Sequence, residues 1–114
     1  QVYRLPLVAL VSISHRVCGV INGMGYALFI IFLISIASGF ETYNISYVVF
    51  TSTVGKILLS LWLFSLYLHI CNGVRHLFWD FGYGFSGNSP LISSLLVVSF
   101  TVLLTGSTIL LYLM

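Results

Sequence analysis

Three long apolar stretches organise this chain. The first runs from about Val17 to Gly39 and contains no charged residue. The second opens at Ile57. It stays uncharged to Val74, is bracketed by Lys56 and Arg75, and reads as helix to about residue 79. The third runs from Leu91 to Met114, again without charge. About 20 mostly apolar residues cross a bilayer core as a helix. The pattern therefore predicts three transmembrane helices, at about 17–39, 57–79 and 91–114. Ahead of the first lies "YRLPLVALVSISHRVCG". Pro6 suits the first turn of a helix. The segment from about 6 to 16 is expected as an interfacial helix entering the membrane, with Ser12, His15 and Arg16 as its polar patch. "FETYNIS" and "DFGYGFSGNSP" are rich in turn formers and read as the two loops. No repeat or linker divides the chain, so residues 1–114 form one membrane-anchor domain.

Composition strengthens this picture. Of 114 residues, 60% are hydrophobic and 5% are charged, and the mean hydropathy is +1.14. Soluble domains carry roughly 25% charged residues. So little charge cannot cover a water-facing surface, and the chain is an all-α integral membrane protein. A net charge of +2 is too small to imply a nucleic-acid partner. Cys18 and Cys71 form neither CxxC nor CxxCH, which argues against covalent haem attachment and a zinc knuckle. Both read as small buried apolar side chains. Arg4, Arg16 and Arg75 fall on one side of the predicted spans and Lys56 on the other. The positive-inside rule then puts the N-terminus and the second loop on the cytoplasmic or matrix side. The Asn44-Ile45-Ser46 sequon falls outside, close to the membrane, and reads as chance. No basic region precedes the first apolar run, so no secretory signal is expected.

The remaining chemistry is concentrated in "HICNGVRHLFWDFGYGF", residues 69–85. His69 lies six residues before Arg75, about 9 Å deeper at 1.5 Å per residue. An imidazole at that depth is costly and commonly functional; it can also hold a neighbouring helix by a hydrogen bond. His69 and His76 are seven apart and share a face, with Gly73 between them. A flat macrocycle can lie against that gap. Neutral imidazole is the usual axial ligand of b-type haem iron, and Arg75 and His76 suit its carboxylates. One helix face supplies one such ligand. His15, beside Arg16, is expected too near the surface to be the second, which would come from a partner chain. Three spans are also few for a cofactor bundle, since such sites are built between facing helices. Both features point to a hetero-oligomer. A second cluster, Ser12, Arg16 and Asp80, is expected at the inner surface. A hydroxyl and a guanidinium there can stabilise a carbonyl oxygen that gains negative charge. Trp79, Phe81, Tyr83 and Phe85 read as interfacial aromatics.

"SISHRVCG" (12–19) followed by "HICNGVRHLFWDFGY" (69–83) resembles the cytochrome b anchor subunits of succinate dehydrogenase. The shared patterns are S-x-x-H-R-x-[ST]-G and H-x-x-x-G-x-R-H-x-x-x-D. Cys18 departs from the first, standing where Ser or Thr is usual. The resemblance implies haem b on His69, with the second ligand supplied by the small membrane-anchor subunit, the other half of a heterodimeric helical anchor. It implies propionate contacts from His15, Arg16, Arg75 and His76. It also implies a ubiquinone pocket with Ser12, Arg16 and Asp80, completed by the iron–sulfur subunit and the small anchor. Electrons would reach that pocket from a flavoprotein subunit through iron–sulfur clusters. The quinone-bonding tyrosine belongs to the small anchor, so Tyr83 is not given that role. No catalytic residue is expected in this chain, which would serve the enzyme as a subunit outside its catalytic core. The membrane would be the mitochondrial inner membrane or a bacterial cytoplasmic membrane.

Three rival readings remain at this point: a quinol:fumarate reductase anchor, a haem-less structural anchor in which His69 only joins helices, and a small transporter or channel subunit. Transporter sites use broken helices near the midplane. Here no span contains proline in its interior, and the polar groups gather towards one side.

Overall fold

The computed structural model describes residues 6–85 and 87–114. Arg4, used above to orient the chain, lies outside them. The described residues form four helices: α1 (Leu7–Ala37), α2 (Phe40–Thr51), α3 (Thr53–Asp80) and α4 (Ser89–Leu113). Helices α1, α3 and α4 are long and apolar enough to cross a membrane. The three-span, all-helical architecture read from the apolar runs is the one observed.

Two boundaries differ from the sequence reading. The interfacial helix expected over 6–16 and the span expected from 17 are one unbroken helix of 31 residues. Ser12, His15 and Arg16 interrupt its hydropathy but not its backbone, because polar residues outside the first turn do not break a helix as proline does. The first connector is likewise helical. Phe40–Thr51 forms 12 residues of helix entered through Gly39, whose φ of 108° favours glycine. Glu41 sits in its first turn, where the helix dipole welcomes negative charge. Tyr43 and Tyr47, one turn apart, have ring centroids 6.0 Å apart, and Phe50 meets Phe32 of α1 edge-on at 5.1 Å. These aromatic contacts hold a segment that turn-forming residues alone suggested as loop. A sharp corner follows. Ser52 caps α3 by accepting from Gly55 N–H at 3.1 Å. Gly55 there lies against the α2 carbonyls of Val49 and Phe50, too close for a side chain.

Helix α3 lies between α1 and α4 and packs on both. Its contacts with α1 run in opposite directions along the two helices: Asn72 with Val11, His69 with His15, Ser65 with Cys18, Trp62 with Gly25. The two helices are therefore antiparallel, with His15 level with His69. Helix α4 meets α3 at Tyr67–Thr108 and Arg75–Ser93, and its Ser94, Val97, Thr101 and Thr105 are buried. Ser94, Thr101 and Thr105 each return their hydroxyl proton to the carbonyl four residues earlier, at 2.8 Å. The groups are thereby satisfied inside their own helix, leaving small side chains that allow close helix packing. Most large apolar side chains point outward, Val20, Met24, Leu58 and Leu103 among them. That exposure matches lipid and partner helices as surroundings.

Candidate functional site

The site begins where α1 packs on α3 at His15 and His69. The imidazoles of His15 and His69 stack with centroids 4.0 Å apart and planes 6° from parallel. His76 completes the group, tilted against His15 at 5.4 Å and edge-on to Trp79 at 5.2 Å. The seven-residue spacing of His69 and His76 thus does place them on one face. The gap at Gly73 is filled differently from expectation. A Cβ built on Gly73 would lie 3.8 Å from His15 Cε1, so His15, rather than an open slot, occupies that space. His15 is also no surface residue relative to His69. The unbroken α1 helix carries it down to the same level.

Nδ1 of His69 donates to the backbone carbonyl of His15 at 3.1 Å, if that nitrogen carries the ring proton. A ring that donates from Nδ1 keeps its lone pair on Nε2, the arrangement seen when histidine binds a metal through Nε2. Nδ1 of His15, by contrast, is buried without a partner among the described residues. The stack covers a face of the His69 ring, and Nδ1 is the ring nitrogen whose hydrogen bond is formed. The donor chemistry therefore fits one axial haem ligand from this chain. Parallel stacked rings do not point nitrogens at one another, so His15 and His69 as arranged cannot sandwich a single iron.

Arg75 stands apart from the histidines. One residue along a helix is about 100° of rotation, and Arg75 turns towards α4 while His76 turns towards α1. Its Nε donates to Ser93 Oγ at 3.1 Å and its Nη1 to Asn72 Oδ1 at 2.9 Å. The guanidinium lies 4.0 Å over the Trp79 ring. Arg75 is 4% exposed, and its Nη2 is buried without a partner. Both acidic residues, Glu41 and Asp80, are exposed, and no ion pair forms with Arg75 among the described residues. Asn72 was missed by the sequence reading. It is fully buried and also donates to the Val11 carbonyl at 3.3 Å, joining α1 to Arg75. Its position three residues before Arg75 on an apolar helix was the available signal.

Ser12 is half-buried and Arg16 exposed, one turn apart on α1. Asp80 is the last residue of α3. With His15 level with His69 on antiparallel helices, Arg16 is level with residue 68 and lies about 18 Å along the helix axis from Asp80, twelve residues at 1.5 Å each. Ser12 and Arg16 flank His15 on α1, and Asp80 lies one turn beyond His76 on α3. A groove of about 510 Å³, lined by Cys71, Val74, Phe78 and Leu96 among others, runs between α3 and α4 on the side of α3 away from the histidines.

Residues 1–108 match the family described as succinate dehydrogenase/fumarate reductase transmembrane subunit. The chain belongs to that family. It is similar to the succinate dehydrogenase cytochrome b556 subunit of Rickettsia felis, 38% identical over 92% of this chain and 82% of the relative. The b556 subunit of Paracoccus denitrificans is 32% identical over 98% of this chain and 86% of its own length. The mitochondrial succinate dehydrogenase cytochrome b560 subunit of mouse is 31% identical over 92% of this chain and 63% of the relative. The three long apolar helices are thus those of a cytochrome b membrane anchor of complex II, a subunit of an oxidoreductase that partners the other subunits of that complex. Its relatives come from bacterial and mitochondrial membranes.

Proposed function

We propose that this chain binds haem b through His69 and forms part of the ubiquinone-reduction site of a succinate:ubiquinone oxidoreductase. The observation that carries the proposal is the His69 imidazole: Nδ1 engaged by the His15 carbonyl at 3.1 Å, the opposite nitrogen left for iron. When bound, haem supplies a one-electron store beside the quinone site. The second axial ligand comes from the small anchor subunit, since His15, stacked parallel on His69, cannot share an iron with it. His15, His76 and Arg16 border the ligand and provide hydrogen-bond donors for propionates. Arg75 is proposed to act at longer range, as a buried positive charge held by Asn72 and Ser93. Ser12 and Arg16 donate to a quinone carbonyl and stabilise the charge it gains on reduction. The iron–sulfur subunit and small anchor complete that pocket, and the flavoprotein supplies the electrons from succinate. Asp80, farther along α3, is proposed at the mouth of the pocket rather than on the quinone itself. Residues 1–114 act as one anchor domain with the N-terminus on the matrix or cytoplasmic side.

The test is a reduced-minus-oxidised absorption spectrum of the complex purified in mild detergent through this chain. A sharp low-spin b-type band in the parent complex, lost in His69→Ala with the subunits still assembled, is the expected result. Succinate–quinone activity without a band would remove the haem and leave a structural anchor with a quinone pocket.

A further inference from the structure

The carbonyl that engages His69 has an unusual setting. In an α-helix each carbonyl accepts from the N–H four residues on, so the His15 carbonyl is already the acceptor for Gly19. A side chain at that fourth residue stands beside the carbonyl and restricts approach from the flank. Position 19 has no side chain. A Cβ built on Gly19 would lie 3.3 Å from His69 Cε1 and 3.8 Å from its Nδ1. Contacts as short as 3.3 Å are tighter than most real Cβ contacts, so an alanine would displace the ring or α1 by a few tenths of an ångström.

We propose that Gly19 is a positioning residue for His69: by leaving the flank of the His15 carbonyl open, it lets that carbonyl accept from Nδ1–H and so fixes the tautomer, orientation and donor strength of the ring. The proposal rests on His69 as a haem ligand and goes beyond it to a residue that never touches the haem iron. A hydrogen bond accepted from the distal N–H raises the basicity of a ligating imidazole, and a more basic ligand favours ferric iron. Loosening that bond therefore favours reduction.

The experiment compares the parent complex, Gly19→Ala and Gly23→Ala. Gly23 lies one turn along the same helix with nothing within 4 Å of a built Cβ, so it controls for the loss of a glycine in α1. The readout is the haem midpoint potential from an optical titration. Gly19→Ala is expected to shift the reduction equilibrium towards ferrous haem about threefold to tenfold, up to about 59 mV for one electron, while Gly23→Ala stays at the parent value. Equal potentials in all three would overturn the positioning role and leave the haem assignment standing. Absence of a b-type band from the parent complex would overturn both. Should Gly19→Ala fail to assemble, electron–nuclear double resonance on the parent ferric haem reads the His69 Nδ1 proton after transfer to deuterated buffer. A slowly exchanging proton supports the buried bond to the His15 carbonyl; one that exchanges at once overturns it.

Discussion

His15 and His69 lie face to face, 4.0 Å between centroids and 6° from parallel, on two helices that run in opposite directions. The same residue pair is joined twice, since the His15 backbone also holds His69 Nδ1. These two links are separable by mutation. His15→Ala removes the ring and keeps the carbonyl. Stacked aromatic pairs contribute about 0.5–1.5 kcal/mol, so the variant should lose modest stability and, with His76 and Arg16 left as the proposed propionate donors, keep haem within about twofold of the parent. His69→Ala removes the proposed ligand itself and should lose haem altogether. Haem content per assembled complex, by pyridine haemochrome assay, checks both. Equal losses in the two variants would show that the His15 ring, and not only its backbone, is essential to the ligand.

The distance along the helices from Arg16 to Asp80 separates two roles at the proposed quinone site. A donor to the carbonyl that gains charge is worth about 1.5–3 kcal/mol when charged, or roughly 10-fold to 100-fold. Arg16→Gln should lower quinone reduction by that factor, and Ser12→Ala by about 10-fold. Asp80→Asn, at the end of α3 and about 18 Å along the helix axis from Arg16, should change it by less than about threefold, because interactions between charges farther apart than a Debye length are largely screened. The measurement is kcat/KM for a short-chain ubiquinone, with succinate oxidation by a soluble dye as the internal control. An Asp80→Asn effect as large as that of Arg16→Gln would place the carboxylate on the quinone.

The apolar runs made three spans legible because helix length and bilayer thickness are linked by simple geometry. His69 was legible for a related reason: an imidazole deep in such a run is costly enough to need a partner. What stayed hidden depended on rotation and register between helices. Arg75 and His76 are neighbours in sequence and read as one polar end, yet they face α4 and α1 respectively. His15 read as a surface residue because Arg16 follows it. Its level relative to His69 is set by how far α1 slides along α3, and side-chain packing at Gly19 and Gly25 fixes that slide. Helix α2 escaped detection because its support comes from Phe32 of another helix. A 12-residue helix has little stability from its own backbone alone.

Asn72 links Val11, Arg75 and, through Arg75, Ser93 of α4. Removing one partner of a buried hydrogen bond to a charged group leaves the charge poorly solvated. Asn72→Ala should therefore cost about 2–3 kcal/mol and lower the thermal stability of the detergent-purified complex. Tyr67→Phe makes a useful contrast. It removes only the hydrogen bond to Thr108 at 2.9 Å, and interhelical hydrogen bonds in membranes average about 0.6 kcal/mol. Similar midpoints for the two variants would mean that the Arg75 network carries no special weight.

Gly25 and Gly106 predict opposite responses to the same substitution. A Cβ on Gly25 would run into the Trp62 indole, which lies directly against the α1 backbone. Trp62 is itself held edge-on by Tyr26 at 5.8 Å, so its ring has little freedom to retreat. Overpacking of this kind costs about 1–3 kcal/mol, and Gly25→Ala should lower the melting temperature of the complex. A Cβ on Gly106 meets nothing within 4 Å. Alanine is favoured over glycine inside helices by up to about 1 kcal/mol, so Gly106→Ala should be neutral or stabilising. The cause of the Gly25 effect can be isolated by shrinking its neighbour. Trp62→Leu in the Gly25→Ala background should recover part of the loss, whereas in the parent it should destabilise by leaving a cavity. A double variant that is merely the sum of the two single losses would mean that Gly25 matters for a reason other than the room it gives Trp62.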